Sequence, residues 1–493
     1  MPAVPLEQAL REGARQDPDR AAITDAGRTF SRGDVDALVD VAGARLARAD
    51  VGYGDLVAVS GANSAELLMT FFGIWRLGAV PVPLHPRKGR DELLALVRTS
   101  GARVAVGFPA GYAEHWPDTE GLEFDDLFRA SGFESLPPAP VSPRLRIGSS
   151  GGSTGPSKLI SVDVPAIVNP AHPWHYGLRA DGTHVVPLAL CDGTGFVAST
   201  VALAIGCHQI LMRDFDAEQM LRLMAEHRAD WLAATQPVLV ALAKLPERVH
   251  QQYDLSALRC VTQYSGGIAD WAKRALIDWL GPERVAESYG ATDSRGSTWI
   301  SGEEWLQHPG SVGRAADGCE IAIFDADGNR LAAGQIGLVY LRDLTGRRNF
   351  HYLNAETEAI EGGWENFGDM GWLDEDGYLY LADRAKDMIR GADGLIAPLP
   401  IEGAIELHPA VRSAVVIGLP SGDGERVHAI VDTAGEQVDE ADLRRMLAEW
   451  FPDVRVPDTW EWTDAPLRDL AGKAQRLRLR AARYLSSQPE PAG

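Results

Sequence analysis

Along residues 1–130, apolar positions alternate between two periods. Val35, Leu38, Val39, Val41, Ala42 and Leu46 recur at helical spacing and predict a helix over residues 34–49. Residues 55–60, with the run Leu56-Val57-Ala58-Val59, predict a short buried strand. Residues 66–77 predict a second helix, and Ala79-Val80-Pro81-Val82-Pro83-Leu84 a second strand before a turn. Strand and helix in alternation predict a mainly parallel sheet covered by helices.

Prolines and serines between apolar residues mark residues 134–144 as a surface connection. A Gly/Ser-rich loop follows at residues 148–155, then the strand-like Leu159-Ile160-Ser161-Val162. Apolar runs at 185–188, 209–212 and 261–262 continue the alternation. From Gly313 the pattern changes. Glu320-Ile321-Ala322-Ile323-Phe324 runs into the turn residues Asp325-Ala326-Asp327-Gly328-Asn329, predicting short antiparallel strands in a barrel-like module. Beyond Asp387 the chain reads α+β, with a helix near 402–407, a strand at 414–418, a helix at 440–450 and a frayed end at 486–493.

Composition adds bounds. The 493 residues are 45% hydrophobic and 24% charged, enough for a sizeable core in about three compact units or one large unit and a smaller one. Basic residues number 47 and acidic residues 69, a net charge of −22. That balance argues against a general nucleic-acid binder or an anionic-membrane anchor. A local glycine-rich loop can still hold phosphate against the net field. Cys191, Cys207, Cys260 and Cys319 lack CxxC or metal-ligand spacing and read as reduced, mostly buried thiols. The opening Met1-Pro2-Ala3-Val4-Pro5 lacks a basic start and an apolar run, and no stretch of ~20 apolar residues exists, so the expected compartment is the cytoplasm, with no membrane span.

Four clusters carry candidate chemistry. In Gly148–Lys158, glycines allow tight turns while hydroxyls and N–H groups face outward as phosphate donors. It is not a Walker A loop, because Pro156 and Ser157 separate Gly155 from Lys158; the alternative is a flexible linker. In Glu287–Asp293, Tyr289 offers a stacking face, Thr292 a hydroxyl and Asp293 a hard oxygen ligand for Mg²⁺. Gly368-Asp369-Met370-Gly371, with Asp383-Arg384-Ala385-Lys386-Asp387, offers an acid for ribose hydroxyls and an arginine for sugar or phosphate oxygens. Gly472-Lys473 lies near the C-terminus. Taken singly, these clusters also suit an ordinary loop, a charged strand end and a solvated helix end.

Taken in order, they resemble the adenylate-forming superfamily of acyl-CoA synthetases, luciferases and peptide-synthetase adenylation domains. The likeness spans nearly the whole chain. It is carried by Thr29-Phe30-Ser31, residues 76–83, Ser150–Lys158, Tyr289-Gly290-Ala291-Thr292-Asp293, Trp364–Ile389, residues 408–426 and Arg468–Arg478. The resemblance implies a large N-terminal α/β domain over 1–386, with parallel sheets, helices and a small β-barrel-like module. A small mobile α+β domain over 387–493 follows. It implies an acyl-CoA ligase: carboxylate and MgATP give an acyl-adenylate, and coenzyme A then displaces AMP.

By the same resemblance, Ser150, Gly151, Gly152, Ser153, Thr154, Gly155 and Lys158 hold the pyrophosphoryl part of ATP. Gly266, Gly267 and Gly290 line the adenine slot beside Tyr289. Asp369 and Arg384 grip the ribose. Thr292 bonds the α-phosphate, Asp293 takes the metal, and Lys473 reaches carboxylate and α-phosphate. Lys386 is the hinge. Cys191, Gly193, Gly195 and Phe196 border the pocket for the acid, and small residues there suit a bulky, hydrophobic, cyclic carboxylate, as in ligases for bile-acid-like or terpenoid-like acids. A homodimer is compatible with the family.

The chain departs from the family at several positions. Asp293 replaces glutamate, Phe367 replaces threonine, Ser157 follows Pro156 before Lys158, Ala392-Asp393 replaces a glycine pair, and Cys191 stands for an aromatic residue or histidine. These changes leave three alternatives: a ligase acting only on an acyl-AMP made by another enzyme, with impaired adenylation; an adenylating enzyme that loads a carrier protein; and a non-catalytic nucleotide-binding protein.

Overall fold

The computed structural model describes residues 3–129, 136–149, 157–169, 177–290, 296–344, 350–355, 359–360, 362–392, 394–422, 424–452, 454–468, 474 and 476–486. The helix expected over 34–49 spans Arg32–Arg48. Ser31 caps it. Its hydroxyl accepts from the Asp34 N–H at 3.1 Å, and Asp34 accepts from the Ser31 N–H at 2.9 Å. The next helix, Ala65–Arg76, starts at a Ser64 cap and buries all but one of its twelve residues, as a core helix must.

Four parallel strands, Val80–Pro83, Leu56–Val59, Val104–Val106 and Glu120–Leu122, form one sheet in that spatial order. A larger sheet holds a parallel run of Ala21–Asp25, His208–Leu211, Thr183–Val186, Trp231–Ala234, Cys260–Ser265 and Val285–Tyr289. At Val285–Tyr289 the direction changes. Thr298–Ser301, Ser311–Ala315, Leu379–Arg384, Trp364–Leu373, Gly337–Asp343 and Cys319–Phe324 follow as antiparallel neighbours. The turn-rich stretch after Gly313 thus continues the parallel sheet at its edge through Thr298–Ser301.

The last part of the chain has an apolar cluster of its own, built from Ile389, Ile401, Ile405, Val416, Val431 and Leu447 among others. Strands Ser413–Ser421, Gly424–Asp432 and Thr459–Thr463 pack there with helices Pro398–Glu406 and Glu440–Trp450. The first of these helices begins four residues before the expected 402, because Pro398 and Pro400 read as breakers. Both stand in the first turn, where the missing N–H groups have no intrahelical partner anyway.

Three helices of the first part meet on one cation. Arg76 is 2% exposed. Its guanidinium lies 2.7 Å from Asp36, 2.8 Å from Asp40 and 3.4 Å from Glu7. Burial pushes the Glu7 carboxyl up, with Arg76 opposing. Removing the cation leaves these acids with Arg11 alone, a change that costs about 3–5 kcal/mol at a buried pair. Arg76→Ala is therefore expected to lower the thermal midpoint by several degrees, whereas loss of the exposed Arg129–Asp125 pair by Arg129→Ala shifts it by no more than a degree. Equal midpoints for the two variants would refute the role given to Arg76.

Candidate active site

The site assembles where the large sheet changes direction. Every residue of Val285–Tyr289 is buried, so the strand is held on both faces. At its end the Tyr289 N–H donates to Thr298 Oγ1 at 3.1 Å, and the Thr298 hydroxyl donates to the Val312 carbonyl. The Tyr289 hydroxyl, thus aimed, donates to Asp369 Oδ2 at 2.7 Å.

Asp369 sits directly across from Arg384 in the antiparallel pairing, and Arg384 Nε lies 3.5 Å from Asp369 Oδ1. Two glycines set the acid in place. Gly368, at φ +84°, turns the chain just before it. Gly371 follows a bulge, and a Cβ there would stand 2.2 Å from the Tyr380 carbonyl. Burial raises the Asp369 pKa, while Arg384 and the Tyr289 hydroxyl pull it down. Burial, reinforced by Asp369, holds the Tyr289 phenol protonated far above its ordinary value. Phe367, at the family's threonine position, packs against the apolar cluster of Tyr289, Val312 and Leu379.

Gly266 and Gly267 follow the Cys260–Ser265 strand beside Tyr289's strand. A Cβ on Gly266 would meet nothing within 4 Å, so open space adjoins it. Its carbonyl accepts from the Gln263 amide. A Cβ on Gly267 would lie 3.3 Å from Val312. One on Gly290 would lie 3.4 Å from the Gly296 carbonyl. Behind these glycines Lys273 pairs with Glu287, both fully buried. Burial lowers the Lys273 pKa and raises that of Glu287. Sequence reading passed over this pair; its one signal is a charged residue in the middle of an apolar strand.

Lys158 places its ammonium 4.8 Å over the Tyr352 ring. Ser157, the residue before it, is fastened: its hydroxyl accepts from Lys88 Nζ at 2.8 Å and donates to Glu92 at 2.5 Å. Its carbonyl accepts from the Asn354 amide at 3.1 Å. Ser150, Gly151, Gly152, Ser153, Thr154 and Gly155 lie outside the described residues, as do Thr292, Asp293 and Lys473. Among the described residues no group of three potential metal ligands occurs. Lys386 is exposed, and partial burial lowers its pKa.

The expected pocket wall gathers at the start of helix Gly193–Ile205. Gly195 is sterically required there, since a Cβ would fall 2.1 Å from the Ala189 carbonyl. The wall is tied down by Asn63, a buried residue that sequence reading missed. Its amide donates to the Leu188 and Met212 carbonyls at 2.9 and 3.0 Å and accepts from the Leu190 N–H at 2.9 Å. Burial pushes the Cys191 thiol up to about 12, so it stays protonated and is no nucleophile. Phe196 is wholly buried, its ring 4.8 Å from Phe71 and 5.7 Å from Trp75.

The profile of the family described as AMP-binding enzyme matches residues 10–345. A long-chain-fatty-acid–CoA ligase of Mycobacterium tuberculosis is 26% identical over 98% of this chain and 99% of its own. An indoleacetate–CoA ligase of Aromatoleum aromaticum is 26% identical over 96% of each. The ATP-bound structure of MatB from Rhodopseudomonas palustris superposes with a TM-score of 0.81 at 25% identity, covering 98% of this chain and 100% of the other. With a family match over more than half its length, and the Tyr289, Asp369 and Arg384 cluster assembled, this chain belongs to the AMP-binding enzyme family, the adenylate-forming group that includes acyl-CoA ligases.

Proposed function

We propose that this chain is an AMP-forming acid–thiol ligase that converts a hydrophobic, cyclic carboxylic acid into its coenzyme A thioester through an acyl-adenylate. The observation that carries the reading is the convergence of Tyr289, Asp369 and Arg384 from three strands. A nucleoside needs an aromatic edge for its base, an acceptor for vicinal hydroxyls and a cation for ribose and phosphate oxygens. Tyr289 beside the open space at Gly266 supplies the first. Asp369 and Arg384 supply the other two.

In the first step a carboxylate oxygen bonds to the α-phosphorus of ATP as the bond to pyrophosphate breaks. In the second, the coenzyme A sulfur bonds to the acyl carbon, AMP leaves, and the thiol proton passes to solvent. Two anions crowd together in the first step, and a fixed cation offsets their repulsion. That role goes to Lys473. Ser150–Gly155 and Lys158 take the leaving pyrophosphate, Thr292 the α-phosphate, and Asp293 the magnesium that arrives with ATP. The domains divide at Lys386, into 1–386 and 387–493, and the second turns between the steps. Support for a ring-bearing acid comes from the small residues Gly193, Gly266 and Gly267 and from the relative named for indoleacetate. No helix among the described residues is long and apolar enough to cross a membrane.

The function is tested by offering aryl, polycyclic and straight-chain acids with MgATP and coenzyme A and measuring AMP and thioester together. Equal amounts of both, highest with a cyclic acid, are expected. Turnover only from synthetic acyl-AMP would assign the chain to the second step alone, and none from either would end the ligase reading.

Two substitutions probe the site. Asp369→Asn removes the charged ribose acceptor but keeps the fold, so the KM for ATP is expected to rise about tenfold, as for loss of a charged hydrogen bond. An unchanged KM would remove Asp369 from the nucleotide site. Lys473→Ala is expected to cut acid-dependent ATP–pyrophosphate exchange by about 10²-fold, on the scale of losing one oxyanion donor. Thioester formation from supplied acyl-AMP is expected to survive; equal loss of both steps would count against the assignment.

A further inference from the structure

The segment bearing Lys473 is anchored from both sides on one buried carboxylate. Glu402, on helix Pro398–Glu406, is 1% exposed. It accepts from the Val416 N–H at 2.7 Å, from Arg476 Nη2 at 2.7 Å through each oxygen, and from Arg468 Nη2. Burial pushes this carboxyl up, but Arg476 and Arg468 outweigh burial and hold it below the usual carboxylate range. Arg468 also donates to the Ala414 carbonyl at 3.3 Å, and Arg468 and Ala474 form an antiparallel bridge. Arg468 and Arg476, on either side of Lys473 in sequence, thus share one anchor. All these partners come after Lys386 in the chain.

Arg476 also reaches across Lys386, as Lys244 does to the Val411 carbonyl. Arg476 Nη1 lies 3.4 Å from Asp383 Oδ1. It also lies 3.6 Å from Asp387, on the far side of Lys386. Asp383 is 4% exposed, precedes Arg384 at the end of the strand Leu379–Arg384, and accepts the Arg384 N–H at 2.7 Å. Its other oxygen is buried and has no hydrogen-bond partner among the described residues. Such a carboxylate is costly to bury unless it serves a cation. Burial raises the Asp383 pKa, with Arg476 as the main opposing charge.

We infer that Asp383 is a positioning residue for the adenylation step: through Arg476 it registers the Lys473 segment against the strand that holds Arg384. This rests on the role proposed above for Lys473. The Arg476–Glu402 pair lies within the C-terminal unit and travels with it. The Arg476–Asp383 contact belongs to one pose, and a turn at Lys386 parts it. Arg476 is thereby held against the strand of the ribose grip for the adenylation step and released from it for the thiol step.

The test uses the full chain with Asp383→Asn, which leaves the Glu402 anchor intact. A displacement of ~1 Å at the reacting centre can cost on the order of 10²-fold. Pyrophosphate exchange is expected to fall at least tenfold, while thioester formation from supplied acyl-AMP stays within about twofold of wild type, scaled to the same argument. Asp383→Glu, which restores the charge, is expected to recover most of the exchange. Exchange unchanged in Asp383→Asn, or both steps falling together, overturns the inference. Lys473→Ala measured beside it separates the two levels. If that variant loses exchange and Asp383→Asn does not, the inference alone fails; if Lys473→Ala keeps exchange, the role of the lysine fails and the inference with it.

Discussion

The hydrogen bond from the Tyr289 hydroxyl to Asp369 joins residues far apart in sequence and forms only if the large sheet has every strand in place. Tyr289 ends the last parallel strand, and Asp369 lies on an antiparallel strand reached through three intervening neighbours. A slip of one residue in the Trp364–Leu373 strand would turn Asp369 to the opposite face and carry Arg384 out of register. Gly371 and the bulge beside it guard against that slip, because only glycine fits under the Tyr380 carbonyl. The cluster of Tyr289, Asp369 and Arg384 is thus a consequence of sheet register.

The same region reconciles an acidic protein with an anionic ligand. A net charge of −22 opposes a triphosphate at long range, but salt screens that field within about 10 Å. Locally, Arg384 stands 3.5 Å from Asp369, whose other oxygen accepts from the Tyr289 hydroxyl, and Tyr289 stays neutral. The buried Cys191 thiol is likewise neutral.

Much of this was legible in the sequence because it depends on local chemistry. The apolar spacing over 34–49 announces the helix found at Arg32–Arg48, and the apolar run at 79–84 a buried strand. Tyr289, Asp369 and Arg384 stand in motifs whose residue types suit a nucleoside. What stayed hidden depends on partners distant in the chain. Lys273 and Glu287 look like surface charges until the sheet buries them together. Asn63 looks like a turn residue until three backbone groups from two other loops converge on it. The rings of Phe71 and Trp75 that pack on Phe196 come from another helix and are not readable from its local sequence. Asp383, Glu402, Arg468 and Arg476 read as solvated charges and form one buried network.

The central claim is that the acid's own oxygen passes to phosphorus before the thiol attacks. It is tested most directly by supplying a carboxylate labelled with ¹⁸O, together with MgATP and coenzyme A, and locating the label by mass spectrometry. The account predicts one ¹⁸O in AMP and none in pyrophosphate. Label in inorganic phosphate or pyrophosphate, with AMP unlabelled, would contradict it.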